Sequence, residues 1–420
     1  MTTLIKRVIT GLEERRERVL NGDINCIPLP FKRFRSELPG IEQETYYLVS
    51  GGTKSAKTRL VNYIFVYNTI MYAYYNQGVV CPKIFYYPLE ETPESITLRF
   101  MSYLLYVLSG KRISPTDLRS TDSEKPLDEE IIDLLRSEEY TNILDYYEEV
   151  ISFMPSRNPT GVWKDLKAYA DNHGTVHNKK CIYKDEFGVE HEGEQFDYYE
   201  PNNSNEYVFI IIDHVSLLET ERGLTLRECI NKLSEYMVIF RNRYKYIPVI
   251  VQQQSVETTN LDAFKNNKIR PTPSGLADSK GPSKDCSIML GITNPFSHEL
   301  REYLGYDINK FKGEFRCLEV VLNRNGSSNG ICPLFFDGAI GYFQELPLPN
   351  NKIELDKVYK YLDKIRNNIV EKSNVSMHIY ASKHNDEYSN KTNNKQKFVK
   401  KLHYKNILSK FATLFNLNNK

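Results

Sequence analysis

Between an apolar run, Tyr46 to Val49, and a helix-spaced one, Leu60 to Tyr74, lies Ser50-Gly51-Gly52-Thr53-Lys54-Ser55-Ala56-Lys57-Thr58-Arg59. A glycine-opened turn from strand into helix aims several backbone N–H groups at one point, and the helix dipole adds positive potential there. Lys57 supplies a cation for phosphate and Thr58 a hydroxyl for Mg2+, so residues 51–59 are predicted to cradle the phosphates of a nucleoside triphosphate such as ATP. Ala56 stands where the pattern G-x-x-x-x-G-K-[ST] has its second glycine. An alanine is expected to fit there with a negative φ and a methyl clear of the phosphates.

Other apolar runs end in groups suited to the same chemistry. Val208 to Ile212 ends in Asp213, a carboxylate at a buried strand tip where it can order the water shell of Mg2+. Ile84 to Tyr87 leads into Pro88-Leu89-Glu90-Glu91-Thr92-Pro93, with Thr92 or Glu91 capping the next helix and Glu90 placed to orient an attacking water. Ile247 to Val251 ends in Gln252-Gln253-Gln254-Ser255, where an amide can report loss of a γ-phosphate. Asn323-Arg324-Asn325-Gly326 reads as a turn with Arg324 exposed, a candidate arginine finger. The polar segment after Gln254 carries Lys265, Lys268 and Arg270, cations able to follow a nucleic-acid backbone without reading bases. Each of these groups also has an ordinary reading as a solvated turn or helix-end residue.

The elements that must hold these groups follow from the alternation of short β-rich runs with helical patterns. They include Leu226, Ile230, Leu233, Met237 and Phe240 on one helical face. The alternation predicts an α/β fold with a largely parallel sheet, whose strand carboxyl ends form one crevice. Thr3 to Leu20 reads as an amphipathic helix, with Leu4, Ile5, Val8, Ile9, Leu12, Val19 and Leu20 at mostly helical spacing. It packs either on its own domain or on a neighbouring subunit. Residues 24–349 form the predicted main domain, with 171–205 as an insertion, a hairpin around Gly188. His173, His177, Cys181 and His191 in that insertion read as surface residues rather than a zinc set.

The 420 residues carry 55 Lys and Arg against 54 Asp and Glu, but the basic residues are in excess after Asn350. The 350–420 region is therefore expected to be a basic, partly disordered tail with a second amphipathic segment, Phe398 to Leu414, that meets an anionic or replication partner. Seven scattered cysteines without C-x-x-C pairs, and no apolar stretch of membrane length, give the expectation of a cytoplasmic protein without a membrane partner.

Taken in order, these pieces resemble the ATPase domain of DnaB-type hexameric replicative DNA helicases, within the RecA-like fold. Ile24-Asn25-Cys26-Ile27-Pro28-Leu29-Pro30-Phe31 is similar to the family's G-I-P-T-G-F, and Tyr87-Pro88-Leu89-Glu90-Glu91 to F-S-L-E-M. Ile212-Asp213-His214-Val215-Ser216-Leu217-Leu218 is similar to I-D-Y-L-Q-L-M, and Gln254 to the glutamine of S-Q-L. Leu322-Asn323-Arg324-Asn325-Gly326 resembles K-Q-R-N-G without its lysine, and Leu276-Ala277-Asp278-Ser279 resembles L-R-D-S without its arginine. The resemblance, over about Gly11 to Leu346, implies a ring-forming, hexameric motor of phage or mobile-element kind, using ATP and Mg2+ to move on single-stranded DNA. It implies catalytic roles for Glu90, Gln254 and Arg324, and Mg2+ ligation by Thr58 and Asp213. Two other readings are a nucleotide-regulated DNA-binding or recombination-mediator protein, and an ATP-binding structural subunit with decayed hydrolysis.

Overall fold

The computed structural model describes residues 3–184, 186–255 and 269–366. Nine strands of the described residues form one sheet: β1 (Tyr47–Gly51), β2 (Cys81–Pro88), β3 (Ile151–Phe153), β4 (Glu206–Asp213), β5 (Ile247–Gln253), β6 (Ile288–Thr293), β7 (Phe315–Asn323), β8 (Ile331–Asp337) and β9 (Tyr342–Glu345). Their spatial order is β9-β8-β7-β6-β1-β5-β4-β2-β3. The six strands from β6 to β3 run parallel, and β7, β8 and β9 are added antiparallel.

The unbroken apolar runs of β1, β4 and β5 are what a parallel strand needs when both faces are covered. Val49, Tyr86, Ile211 and Val249 enter one core, while Leu48, Tyr87, Ile210 and Ile250 enter the other. The first core takes the long helix that begins with α2 (Lys57–Val61), passes through a π-helical turn at Asn62–Tyr67 and ends at Tyr75. It also takes α3 (Pro93–Ser109), capped by Thr92, whose side chain accepts from Ser95 N. The second core takes α4 (Pro159–Asn172) and α5 (Leu226–Tyr244), with Ile230, Leu233, Met237 and Phe240 buried as their spacing predicts.

Gly174–Lys184 and Glu190–Pro201 pair as a two-stranded hairpin, with Gly188 at φ +80 in its turn. His173 stacks on Tyr169, His177 on Tyr198 and His191 on Tyr183. Among the described residues no three His, Cys, Asp or Glu side chains gather for a metal.

α1 (Thr3–Leu20) keeps its apolar stripe in solvent: Leu4 is 63% exposed, Leu12 62% and Leu20 67%. α1 meets the body through Arg7 on Asp197 and Arg15 on Glu42 rather than through these three leucines. At the other end, α6 (Lys352–Arg366) buries Leu355, Val358 and Leu362 in the first core. The body thus runs on to Arg366, past the boundary expected at residue 349. The Phe398 to Leu414 segment lies outside the described residues. No helix of the described residues is long and apolar enough to cross a membrane.

Candidate nucleotide-phosphate site

Parallel register brings the strand ends to one level: Gly51 pairs with Gln253 and Ile292, and Pro88 with Asp213. The loop after β1 closes on itself through Ser55 N donating to Gly52 O at 3.3 Å and Lys57 Nζ donating to the same carbonyl at 2.9 Å. Gly51 has no room for a side chain, since a Cβ would lie 2.4 Å from Ile292 O. Thr53 and Lys54 are exposed, whereas Ser55 is buried. Arg316 of β7 braces the loop by donating from Nε to Ser55 O at 2.9 Å.

Ala56 departs from expectation. Its φ is +77 and its ψ 34, the left-handed conformation that the usual glycine provides. The loop geometry is kept at the expense of a non-glycine residue in a disfavoured region, and Lys54, at φ +59, adds a second.

The carboxylates converge on this loop. Thr58 Oγ1 donates to Asp213 Oδ1 at 3.1 Å, and the Tyr86 hydroxyl lies 3.3 Å from Oδ2. Burial pushes the Asp213 carboxyl up to about 6, opposed by the Thr58 hydrogen bond. Burial lowers Lys57 to about 8, while Asp213 and Glu90 pull it back up. A half-buried hydroxyl on a buried carboxylate, beside a lysine that turns to its own loop carbonyl, is a donor set suited to a hydrated divalent cation and phosphate oxygens. Arg59 is mostly buried, with Nη1 lacking a hydrogen-bond partner, and its pKa is lowered by desolvation.

Glu90 sits on the bend after β2 with its side chain 54% exposed, 3.8 Å from His214 Nε2. Its neighbour Glu91 is paired with Arg99 of α3, which ties the bend to that helix.

The three glutamines after Val251 diverge. Gln252 donates to Ala277 O and Ser279 O, fastening the Leu276–Ser279 segment to β5. Gln253 Nε2 lies 3.3 Å from His214 Nε2. Gln254 donates to Ser50 Oγ at 2.8 Å and to Thr272 O at 3.2 Å, so the glutamine singled out from the sequence turns toward β1, and Gln253 is the one beside His214. A strand's alternation sends adjacent side chains to opposite faces, which a one-residue ambiguity in a Gln-Gln-Gln run hides.

Gln254 also lines a cavity of about 160 Å³ beside the loop, with Gly52, Thr53, Ser55, Asn294 and His298. Ser55 Oγ, Thr293 Oγ1 and Asn294 Oδ1 are buried there without hydrogen-bond partners.

Arg324 lies elsewhere. Asn323 pairs with Ile288, and Ile288 with Tyr47, which puts Arg324 at the amino end of β1, about 13 Å of strand from Gly51. It is exposed, and its guanidinium donates to Cys286 O at 2.9 Å and to Lys284 O. Arg270 is not a free cation either: its Nε lies 3.5 Å from the buried Glu319 carboxylate. Lys265 and Lys268 fall outside the described residues.

His214, Gln253, Arg316 and the Arg99–Glu91 pair were not singled out from the sequence. An arginine inside the apolar run of β7, and a histidine directly after the strand-tip aspartate, were the available signals.

No family model matches the chain, and no curated protein matches it. Solved structures do. The chain is similar to the structure described as the ATPase domain of G40P, at 14% identity and a TM-score of 0.54, over 83% of this chain and all of that one. It is also similar to a DnaB-like replicative helicase solved for its interactions with primase, at 13% identity and a TM-score of 0.53, over 83% of this chain and 68% of that one. The fold is therefore the RecA-like α/β architecture of these helicase ATPase domains.

Proposed function

We propose that this chain is an ATP-hydrolysing motor of the DnaB-like kind, acting as a ring of identical copies that moves along single-stranded DNA. The observation that carries the reading is the joining of Thr58 to Asp213 at 3.1 Å beside Lys57, at the mouth of the loop after β1. The fold likeness to DnaB-like ATPase domains supports the same assignment.

In this reading residues 51–59 bind the phosphates through backbone N–H groups, and Lys57 turns from Gly52 O to the β/γ-phosphate oxygens. Thr58 and Asp213 would hold Mg2+, which neutralises phosphate charge when bound. Glu90 orients the attacking water and accepts its proton. Arg324, at the far end of the sheet, reaches no phosphate of its own chain; it serves the site of an adjacent copy, where it offsets charge in the transition state. Such an arrangement requires an oligomer, and the exposed Leu4, Leu12 and Leu20 of α1 offer a surface for one.

Hydrolysis with and without single-stranded DNA, alongside displacement of a labelled strand from a forked duplex, tests this function. The expected result is DNA-stimulated hydrolysis with unwinding, both lost in Glu90→Gln while nucleotide still binds. Nucleotide binding without hydrolysis in the parental chain overturns the motor assignment, and stimulated hydrolysis without unwinding points to a DNA-binding mediator.

A further inference from the structure

His214 stands between two groups of the site that belong to different strands. Its side chain is only 8% exposed, and one ring nitrogen, Nε2, lies 3.8 Å from Glu90 Oε2 and 3.3 Å from Gln253 Nε2. The other nitrogen, Nδ1, is buried and has no hydrogen-bond partner.

The Glu90 carboxylate is half exposed and makes no hydrogen bond among the described residues, so the fixed imidazole beside it is a restraint on where it points. Orientation of a base is worth restraining, because a misplacement of about 1 Å costs on the order of 10²-fold in rate.

One ring nitrogen cannot satisfy both neighbours in the same way. With its proton on Nδ1, Nε2 carries a lone pair and accepts from the Gln253 amide; with the proton on Nε2, it turns an N–H toward Glu90 Oε2, 3.8 Å away. Nothing bonded to Nδ1 fixes the choice, so the contact made at Nε2 decides it. Gln253 ends β5, whose backbone O accepts from Ala277 N at 2.9 Å, and Gln252 before it holds Ala277 O and Ser279 O. A change at Gln253 is therefore felt in the Leu276–Ser279 segment fastened to the end of β5.

We infer that His214 is a positioning residue whose Nε2 orients Glu90 and is shared with Gln253, coupling the water-orienting carboxylate to the end of β5. The inference rests on the hydrolytic role proposed for Glu90. His214 touches no phosphate in this account and acts through Glu90.

The test uses the full chain and ATP hydrolysis with and without single-stranded DNA. His214→Phe keeps a ring and removes both nitrogens; kcat is expected to fall about 10–100-fold while KM for ATP and analogue affinity stay within about twofold. His214→Gln, which restores a donor and an acceptor, recovers most of the loss. Gln253→Ala retains hydrolysis without DNA but loses the DNA stimulation, and the His214→Phe, Gln253→Ala double variant is no slower than His214→Phe alone.

A parental kcat in His214→Phe overturns the inference and leaves the proposed function standing. So does a fall accompanied by equal loss of analogue binding and no recovery in His214→Gln, the pattern of a purely structural residue. If His214→Phe does not fold, unaltered DNA stimulation in Gln253→Ala overturns the coupling. A parental chain without hydrolysis removes the proposed function and this inference with it.

Discussion

Replacing Ala56 by glycine is expected to stabilise the protein slightly, against the usual cost of glycine. At φ +77 the alanine occupies the left-handed region, where an L residue loses about 1–2 kcal/mol relative to its right-handed conformation. Glycine removes that strain. Two terms oppose it: the extra freedom of glycine in the unfolded chain, about 0.4–1 kcal/mol, and the loss of a half-buried methyl packed on the first core, about 0.4 kcal/mol. The net expectation is a gain of about 0.5 kcal/mol. Ala168, exposed in the middle of α4, is the control, where glycine costs about 1 kcal/mol. Urea unfolding of the two variants should therefore separate by about 1.5 kcal/mol at unchanged m-values, with Ala56→Gly the more stable. Equal destabilisation in both variants refutes the left-handed conformation at Ala56.

Two further outcomes follow from the charges of the site and its surroundings. Lys57 sits near 8 in the free protein, so its ammonium is present below that pH and is lost as pH rises through it. Nucleotide affinity should hold below pH 8 and weaken above it by up to about tenfold per unit, with proton uptake on binding detectable by calorimetry in buffers of different ionisation enthalpy. Flat affinity from pH 7 to 9.5 would remove Lys57 from the phosphate contacts. Arg270→Ala strands the buried Glu319 carboxylate and should cost about 1–2 kcal/mol of stability, restored in part by Glu319→Gln; an unchanged unfolding midpoint would argue that the pair is solvent-screened.

The strand tips were legible because chemistry and burial coincide there. β4 is an eight-residue run ending in Asp213, and β2 ends just before Glu90, so apolar continuity marked the strand and the first charge marked its end. The hairpin turn at Gly188 and the helix cap at Thr92 were legible for the same local reason, a residue type tied to one backbone geometry. Side-chain direction was not. In Gln252-Gln253-Gln254 composition is constant, and only the pairing of β5 with β1 decides which amide comes to His214. Arg270 looked like a free cation because its partner, Glu319, is on a strand that is distant in sequence. The sign of φ at Ala56 also escaped, since alanine argues for a negative value and the demand of the loop overrides it. The antiparallel edge of β8 and β9 lacked the crossover pattern that revealed the parallel strands.

The central claim is that a phosphate site built by one copy is completed by Arg324 of the next, and subunit mixing tests it most directly. Lys57→Ala lacks the phosphate cation, and Arg324→Ala lacks the finger, with turnover expected to fall about 10³-fold while nucleotide still binds. Each variant alone should be nearly inactive. Mixed assemblies, confirmed by differential labelling, should recover hydrolysis at interfaces that pair an intact loop from one copy with an intact Arg324 from the other. Confirmed mixed assemblies that remain inactive at every ratio would contradict a site shared between copies.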